Sequence, residues 1–195
     1  LNADENFDHD ARSFRRGAWW EYALAEAGAI RNNVGIIDAT AFTKHLVKGP
    51  GAVGFLDWFT CNKLPKVGRI NLTYALTNAG TTRTEYTIVR LKQDEFYLVS
   101  AGAWTDYDAD YLRKSAEDKS PEFGYVEIHD VTSQWGVFAV AGPKSRDFLS
   151  QLVRDEDQET ALSNERFPWL SFKRVELGMC SVNACLLYTS PSPRD

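Results

Sequence analysis

The stretch GRINLTYALTNAGTTRTEYTIVRLKQDEFYLVSAG, from Gly68 to Gly102, constrains the fold more than any other part of this chain. It predicts three strands joined by two tight turns. Thr77-Asn78-Ala79-Gly80 supplies the first turn and Lys92-Gln93-Asp94-Glu95 the second. The middle strand, about Thr82 to Leu91, is rich in Thr, Tyr, Ile and Val, which suit a pleated, half-buried surface. Alternation places Glu85 on the same face as Thr87, Val89 and Leu91. A carboxylate leading an otherwise apolar row either tips out to solvent or lines a pocket, and that choice bears on function.

The chain has 195 residues, enough for one large domain or one and a half small ones. Its net charge of -5 argues against a nucleic-acid surface, and no Lys/Arg cluster exceeds Arg15-Arg16. No apolar run is long enough to span a bilayer, and the first residues do not resemble a signal peptide. Neither nucleic acid nor membrane is expected as a partner. Cys61, Cys180 and Cys185 form neither a metal spacing nor an even framework, so reduced thiols and no metal are expected. The chain starts at Leu1 and contains only Met179, and it is read as a fragment. Residues 1–13 are expected to be a frayed lead-in and 14–184 one truncated domain. The tail CLLYTSPSPRD, residues 185–195, breaks the alternation of Phe172 to Val182 and resembles translated adapter sequence. It is set aside as non-native.

An internal repeat organises the rest. Ile37-Asp38-Ala39-Thr40 leads to a strand ending Leu46-Val47-Lys48-Gly49-Pro50, then a helix with Phe55-Leu56. His129-Asp130-Val131-Thr132 leads to Phe138-Ala139-Val140-Ala141-Gly142-Pro143, then a helix with Phe148-Leu149. In each copy Gly frees the backbone at the strand end and Pro fits the first helical turn. Helices are also expected over Trp19 to Asn32 and about Thr105 to Ala116, with a loop at Ser120 to Gly124. Arg154 to Glu165 reads as a charged, exposed connection. The fold class is α+β, mainly antiparallel, with a duplicated strand–helix–strand, ferredoxin-like core.

The succession SFRRGAWWEYALAEAGAIRNNVGIID, HLVKGPGAVGFLDWF, CNKLPKVGRINL, GTTRTEYTIVRL, EFYLVSAGA and VFAVAGPKSRDFL resembles the first part of the folate-binding aminomethyltransferase family, which includes the T-protein of glycine cleavage. It looks most like the C-terminal half of flavin-linked dimethylglycine and sarcosine dehydrogenases. The lead-in Arg15 to Trp20, and Thr84-Glu85 where the T-protein has an Asp pair, point to that branch. The resemblance implies tetrahydrofolate as cofactor, with Glu85 as the acid near the reactive folate nitrogens. It implies cofactor contacts from Leu72, Val99, Ser100 and Ala101. The family often has Tyr at Leu72 and the T-protein has Asn at Ala101. The family's later Gly-Glu-Leu-Gly-Trp-Glu-type strand should begin where CLLYTSPSPRD takes over.

The implied function is capture of a one-carbon unit from an N-methyl amine as methylenetetrahydrofolate. The enzyme class would be a folate-dependent aminomethyltransferase or a dimethylglycine dehydrogenase-like oxidoreductase, with the fragment itself inactive. FAD would belong only to a domain upstream of Leu1, since no G-x-G-x-x-G follows a strand here. The partners implied are folate, the amine-derived unit and that flavin domain. The compartment implied is the cytoplasm, or the mitochondrial matrix in a eukaryote. A stand-alone T-protein and a folate-binding module without chemistry are the alternatives.

Each candidate has a plainer reading beside it. A carboxylate held at low dielectric stabilises a cationic iminium and takes a proton, but Glu85 could instead be a surface residue paired with Arg83 or Arg69. His9, His45 and His129 are scattered and read as structural. Cys61 reads as a buried packing thiol, and Asp38 and Asp130 as turn formers. Asp106, Asp108 and Asp110 read as a solvated helix surface. Trp19 and Trp20 read as core or interdomain contacts.

Overall fold

The computed structural model describes residues 17, 19–154, 158 and 160–187. His9, Arg15-Arg16, most of the lead-in and the Pro-rich end lie outside these. The elements are α1 (Trp19–Asn32), β1 (Gly35–Asp38), β2 (Thr43–Lys48), α2 (Ala52–Phe59), β3 (Ile70–Leu76), β4 (Thr82–Lys92) and β5 (Glu95–Ser100). They continue with α3 (Thr105–Phe123), β6 (Glu127–Asp130), β7 (Phe138–Ala141), α4 (Ser145–Ser150), β8 (Phe172–Leu177) and β9 (Cys180–Cys185).

The two predicted turns fall where the sequence puts them, and β3, β4 and β5 form an antiparallel meander. The full sheet has five strands in the order β3-β4-β5-β2-β6, and β1-β7 and β8-β9 make two-stranded sheets. Among the described residues every strand pairing is antiparallel. The helices α2 and α3 cover one face of the large sheet. Between them lies the main core, where Phe55, Leu56, Phe59, Tyr86, Phe96 and Leu112 are all buried.

The two repeat segments meet through their strands: β1 of the first pairs with β7 of the second, and β2 pairs with β6. Each D-x-T segment forms the same turn, with the amide of Thr40 donating to Asp38 Oδ1 and that of Thr132 to Asp130 Oδ1, both at 2.8 Å. These bonds, made to the ionised form, lower the pKa of both carboxyls. Each threonine hydroxyl then reaches into the other copy. The Val137 amide donates to Thr40 Oγ1 at 3.1 Å, and the Lys44 amide donates to Thr132 Oγ1 at 3.0 Å. The copies are thus related by reciprocal contacts, with β2 and β6 side by side in the large sheet and β1 and β7 in a small one. The two repeat glycines match as well. Gly49 and Gly142 have φ of 118° and 119°, and a Cβ at either would press on a backbone carbonyl.

Lys44 ties this crossing together. Its side chain is fully buried, and Nζ donates to the carbonyls of Thr40, Phe42 and Thr132 at 2.7, 2.9 and 3.1 Å. Burial lowers its pKa, while Asp130 and Asp38 act to raise it.

Several expectations are corrected. The helix α3 runs on to Phe123, through Pro121, and stops where Gly124 takes a φ of 92°. The predicted loop at 120–124 is therefore mostly helix. Ala161 and Leu162, inside the supposedly exposed connection, are buried with Val153, Phe167 and Val175 in a second core under β8 and β9. At the end of the described residues Cys185 pairs with Phe172, and Leu186 exchanges backbone bonds with Leu170 and Ser171. α1 buries none of its residues, so Trp19 is half exposed rather than core.

Candidate functional site

β4 decides which side chains meet. Thr84, Tyr86 and Ile88 point at α2 and α3 and are buried. Glu85 and Thr87 point the other way, Glu85 exposed and Thr87 half-buried. Register does the rest: Leu72 lies opposite Thr87, Thr87 opposite Val99, and Tyr74 opposite Glu85. Val99 in turn sits opposite Lys44 on β2. The result is a shallow, mostly apolar row (Leu72, Thr87, Val99) with one carboxylate beside it.

Glu85 is exposed, so the low-dielectric setting expected of it is not present in the chain alone. It is not paired with either arginine. A bulge at Ala75/Leu76 leaves Arg83 as an extra residue, and bulges re-aim side chains. The Arg83 guanidinium lies over the rings of Tyr107 and Tyr111, at 4.1 and 3.8 Å from their centroids. Arg69 donates to the Trp169 carbonyl at 2.9 Å. Among the described residues no cation forms an ion pair with Glu85.

Of the other expected contacts, Leu72 and Val99 share the open face with Glu85. Ser100 does not: its side chain is buried on the helix side, where Oγ finds no partner. Only its backbone borders the open face. Ala101 is exposed and leads into the turn Gly102–Trp104. A Cβ on Gly102 would lie 1.9 Å from the Ala41 carbonyl, so this corner accepts only glycine.

Two residues escaped the sequence reading. Tyr74 faces Glu85, whose charge and hydrogen bonding raise the phenol's pKa. Counted outward from the Thr77–Gly80 turn, Tyr74 would fall opposite Thr84; the bulge at Ala75/Leu76 moves it opposite Glu85. Asp108 is fully buried, not solvated, and accepts a 2.6 Å hydrogen bond from Thr84 Oγ1. No i,i+2 pattern on a helix makes one face, which was the signal against grouping it with Asp106 and Asp110. His45, also buried, carries both ring nitrogens without a partner, and desolvation lowers its pKa. Cys61 is exposed, which corrects the packing-thiol expectation.

A groove of about 580 Å³ opens at the Ile70 end of β3. Leu64, Pro65 and Leu170 give it an apolar floor, and Lys63, Lys66 and Arg69 give it a cationic rim. Among the described residues no three His, Cys, Asp or Glu converge as a metal site, and no helix is long and apolar enough to cross a membrane.

Residues 5–189 match the model of the GCVT N-terminal domain. The chain is 32% identical to mouse (Mus musculus) mitochondrial dimethylglycine dehydrogenase over 173 residues, which is 88% of this chain and 19% of the relative. It is 31% identical to the sarcosine oxidase alpha subunit of Rhizobium meliloti, covering 88% of this chain and 17% of that one. The chain therefore spans about a fifth of the length of these curated relatives. The glycine cleavage system aminomethyltransferase T of Bartonella henselae superposes with a TM-score of 0.63 at 22% identity, over 76% of this chain and 38% of that one. That likeness establishes the fold.

Proposed function

The chain belongs to the GCVT N-terminal domain family, and from that premise we propose that the Glu85 face of its large sheet binds tetrahydrofolate for one-carbon transfer. The observation that carries this is a carboxylate with no ion-paired cation among the described residues, beside a partly exposed, mostly apolar row of Leu72, Thr87 and Val99. Leu72 and Val99 offer surface for a flat heterocycle. The Glu85 carboxylate suits an N–H or a positively charged nitrogen. The cationic rim of the neighbouring groove suits the carboxylates of the folate glutamate.

Tetrahydrofolate, when bound, supplies two amine nitrogens able to carry a one-carbon unit. The carboxylate oxygens of Glu85 stabilise developing positive charge and accept a proton. Water exclusion must come with the ligand, since Glu85 is exposed in the chain alone. In the longer protein the one-carbon donor is an N-methyl amine of the dimethylglycine or sarcosine type, oxidised by a flavin (FAD) domain. The exposure of Glu85 favours one second reading, a folate-binding module without transfer chemistry.

Calorimetric titration with tetrahydrofolate tests the binding face. Leu72 is exposed, so Leu72→Arg costs the fold little. It should weaken tetrahydrofolate binding more than about tenfold by removing apolar contact and crowding Glu85. Equal affinity in both proteins rules out this face.

A further inference from the structure

We propose that Trp135 is the stacking wall of the Glu85 face: a flat ring of bound tetrahydrofolate lies against its indole, beside Tyr97. This rests on the reading of that face as the tetrahydrofolate site. Tyr97 belongs to the face by alternation, two residues before Val99 on β5. It lies opposite Val89 on β4 and Leu46 on β2, next along the sheet from the pairing of Thr87 with Val99. The rings of Tyr97 and Trp135 have centroids 6.2 Å apart and planes tilted by 47°, a favourable aromatic contact. Tyr97 is half-buried, whereas 44% of Trp135 stays exposed. The indole therefore stands at the Tyr97 end of the Leu72–Thr87–Val99 row with surface left for a second ring.

A wall must be held, and both repeat segments hold this one. Trp135 follows the turn Thr132–Gln134. Ahead of it, the Lys44 amide donates to Thr132 Oγ1 at 3.0 Å, Lys44 Nζ donates to the Thr132 carbonyl at 3.1 Å, and the Val131 amide donates to the Lys44 carbonyl at 3.0 Å. Behind it, the Val137 amide donates to Thr40 Oγ1 at 3.1 Å and the Val137 carbonyl accepts from the Ala39 amide at 2.9 Å. The backbone is thus pinned to the first repeat segment on both sides of Trp135, which fixes the indole before any ligand arrives.

The other tryptophans are engaged elsewhere. Trp19 and Trp20 meet each other, Trp58 packs with Phe55 and Phe123, and Trp104 lies beside Tyr107 on α3. Trp169 donates its ring N–H to the Leu187 carbonyl at 2.7 Å. Among the described residues, only the Tyr97–Trp135 ring pair reaches the Glu85 face. Leu72 and Val99 offer a flat ring burial alone; an indole adds stacking, and it accepts any flat ring because it reads only the π-face.

The test is proton–nitrogen NMR of the tryptophan indoles in the 195-residue chain during titration with tetrahydrofolate. Trp135→Phe identifies the Trp135 signal by its loss, and that signal should shift in the wild type as ligand binds. By calorimetry, Trp135→Ala should weaken binding about 10- to 100-fold, the usual loss when a stacking aromatic is truncated. Trp135→Phe keeps a flat face and should lose less than about fivefold, a rescue that a merely structural tryptophan would not show. A Trp135 signal unmoved at saturation would overturn the proposal, as would equal affinity in Trp135→Ala and wild type. Should Trp135→Ala unfold, the wild-type signal and Trp135→Phe decide. If binding responds to Leu72→Arg while the Trp135 signal stays still, the site reading stands and the stacking falls. If tetrahydrofolate does not bind the wild type, both fall.

Discussion

Glu85→Gln should lower the rate of methylene transfer by about 100- to 10,000-fold, the usual contribution of a well-placed general base, in a protein carrying this domain with its flanking sequence. Glutamine keeps the shape and one acceptor oxygen, so tetrahydrofolate should still bind within a few-fold of the wild type. It loses the negative charge and the ability to take a proton. Single-turnover formation of methylenetetrahydrofolate separates these effects from binding. A selective loss of rate fits Glu85 as the site acid. An unchanged rate removes Glu85 from the chemistry and leaves the folate-binding module reading. The absence of an arginine partner makes the prediction sharp: Arg83 and Arg69 are engaged elsewhere, so no structural ion pair is lost with the charge.

The second large effect concerns the fold. Lys44→Met should destabilise the chain by about 1–3 kcal/mol, the usual cost of leaving a hydrogen-bonding group without its partner. Methionine fills nearly the same space, so packing is kept. What is lost is the donor for the carbonyls of Thr40, Phe42 and Thr132, all in part-buried bonds. Thr40 and Phe42 are exposed, so water replaces part of the lost donor, and removal of the buried charge gives something back. Those carbonyls belong to both copies of the repeat, so the loss loosens the crossing of the β1-β7 and β2-β6 pairs. Urea unfolding followed by circular dichroism measures it, and a shift below about 1 kcal/mol would mean that Lys44 is a bystander. Against a typical total of about 5–15 kcal/mol, the predicted loss is enough to leave much of the variant unfolded at elevated temperature.

Much of this was legible in the sequence because the cues were local. Asn78 and Gly80 fixed one hairpin, Gln93-Asp94 the next, and the β-branched run between them the central strand. The repeated V-x-G-P placed two glycines that the backbone indeed needs at positive φ. The open face was legible by alternation, since Glu85, Leu72 and Val99 follow a period of two. The same arithmetic carried one step further would have set Ser100 on the opposite side.

What stayed hidden depends on contacts distant in sequence. Nothing near Lys44 marks it as buried: its carbonyl partner at Thr132 is 88 residues away. Asp108 looked like one of three surface acids until Thr84, 24 residues earlier, supplied its hydrogen bond. Ala161 and Leu162 sit in a charged stretch and are buried only because β8 and β9 fold over them. Arg83 looked like a natural partner for Glu85 two residues on, and a single bulged residue sent it to the tyrosines of α3 instead.

The place where tetrahydrofolate touches the sheet decides between these readings. Amide NMR of the 195-residue chain during titration with tetrahydrofolate locates it. Shifts clustered on Leu72, Tyr74, Glu85, Thr87 and Val99 are the predicted result. No shifts, or shifts confined to α2 and α3 on the covered face, would contradict it.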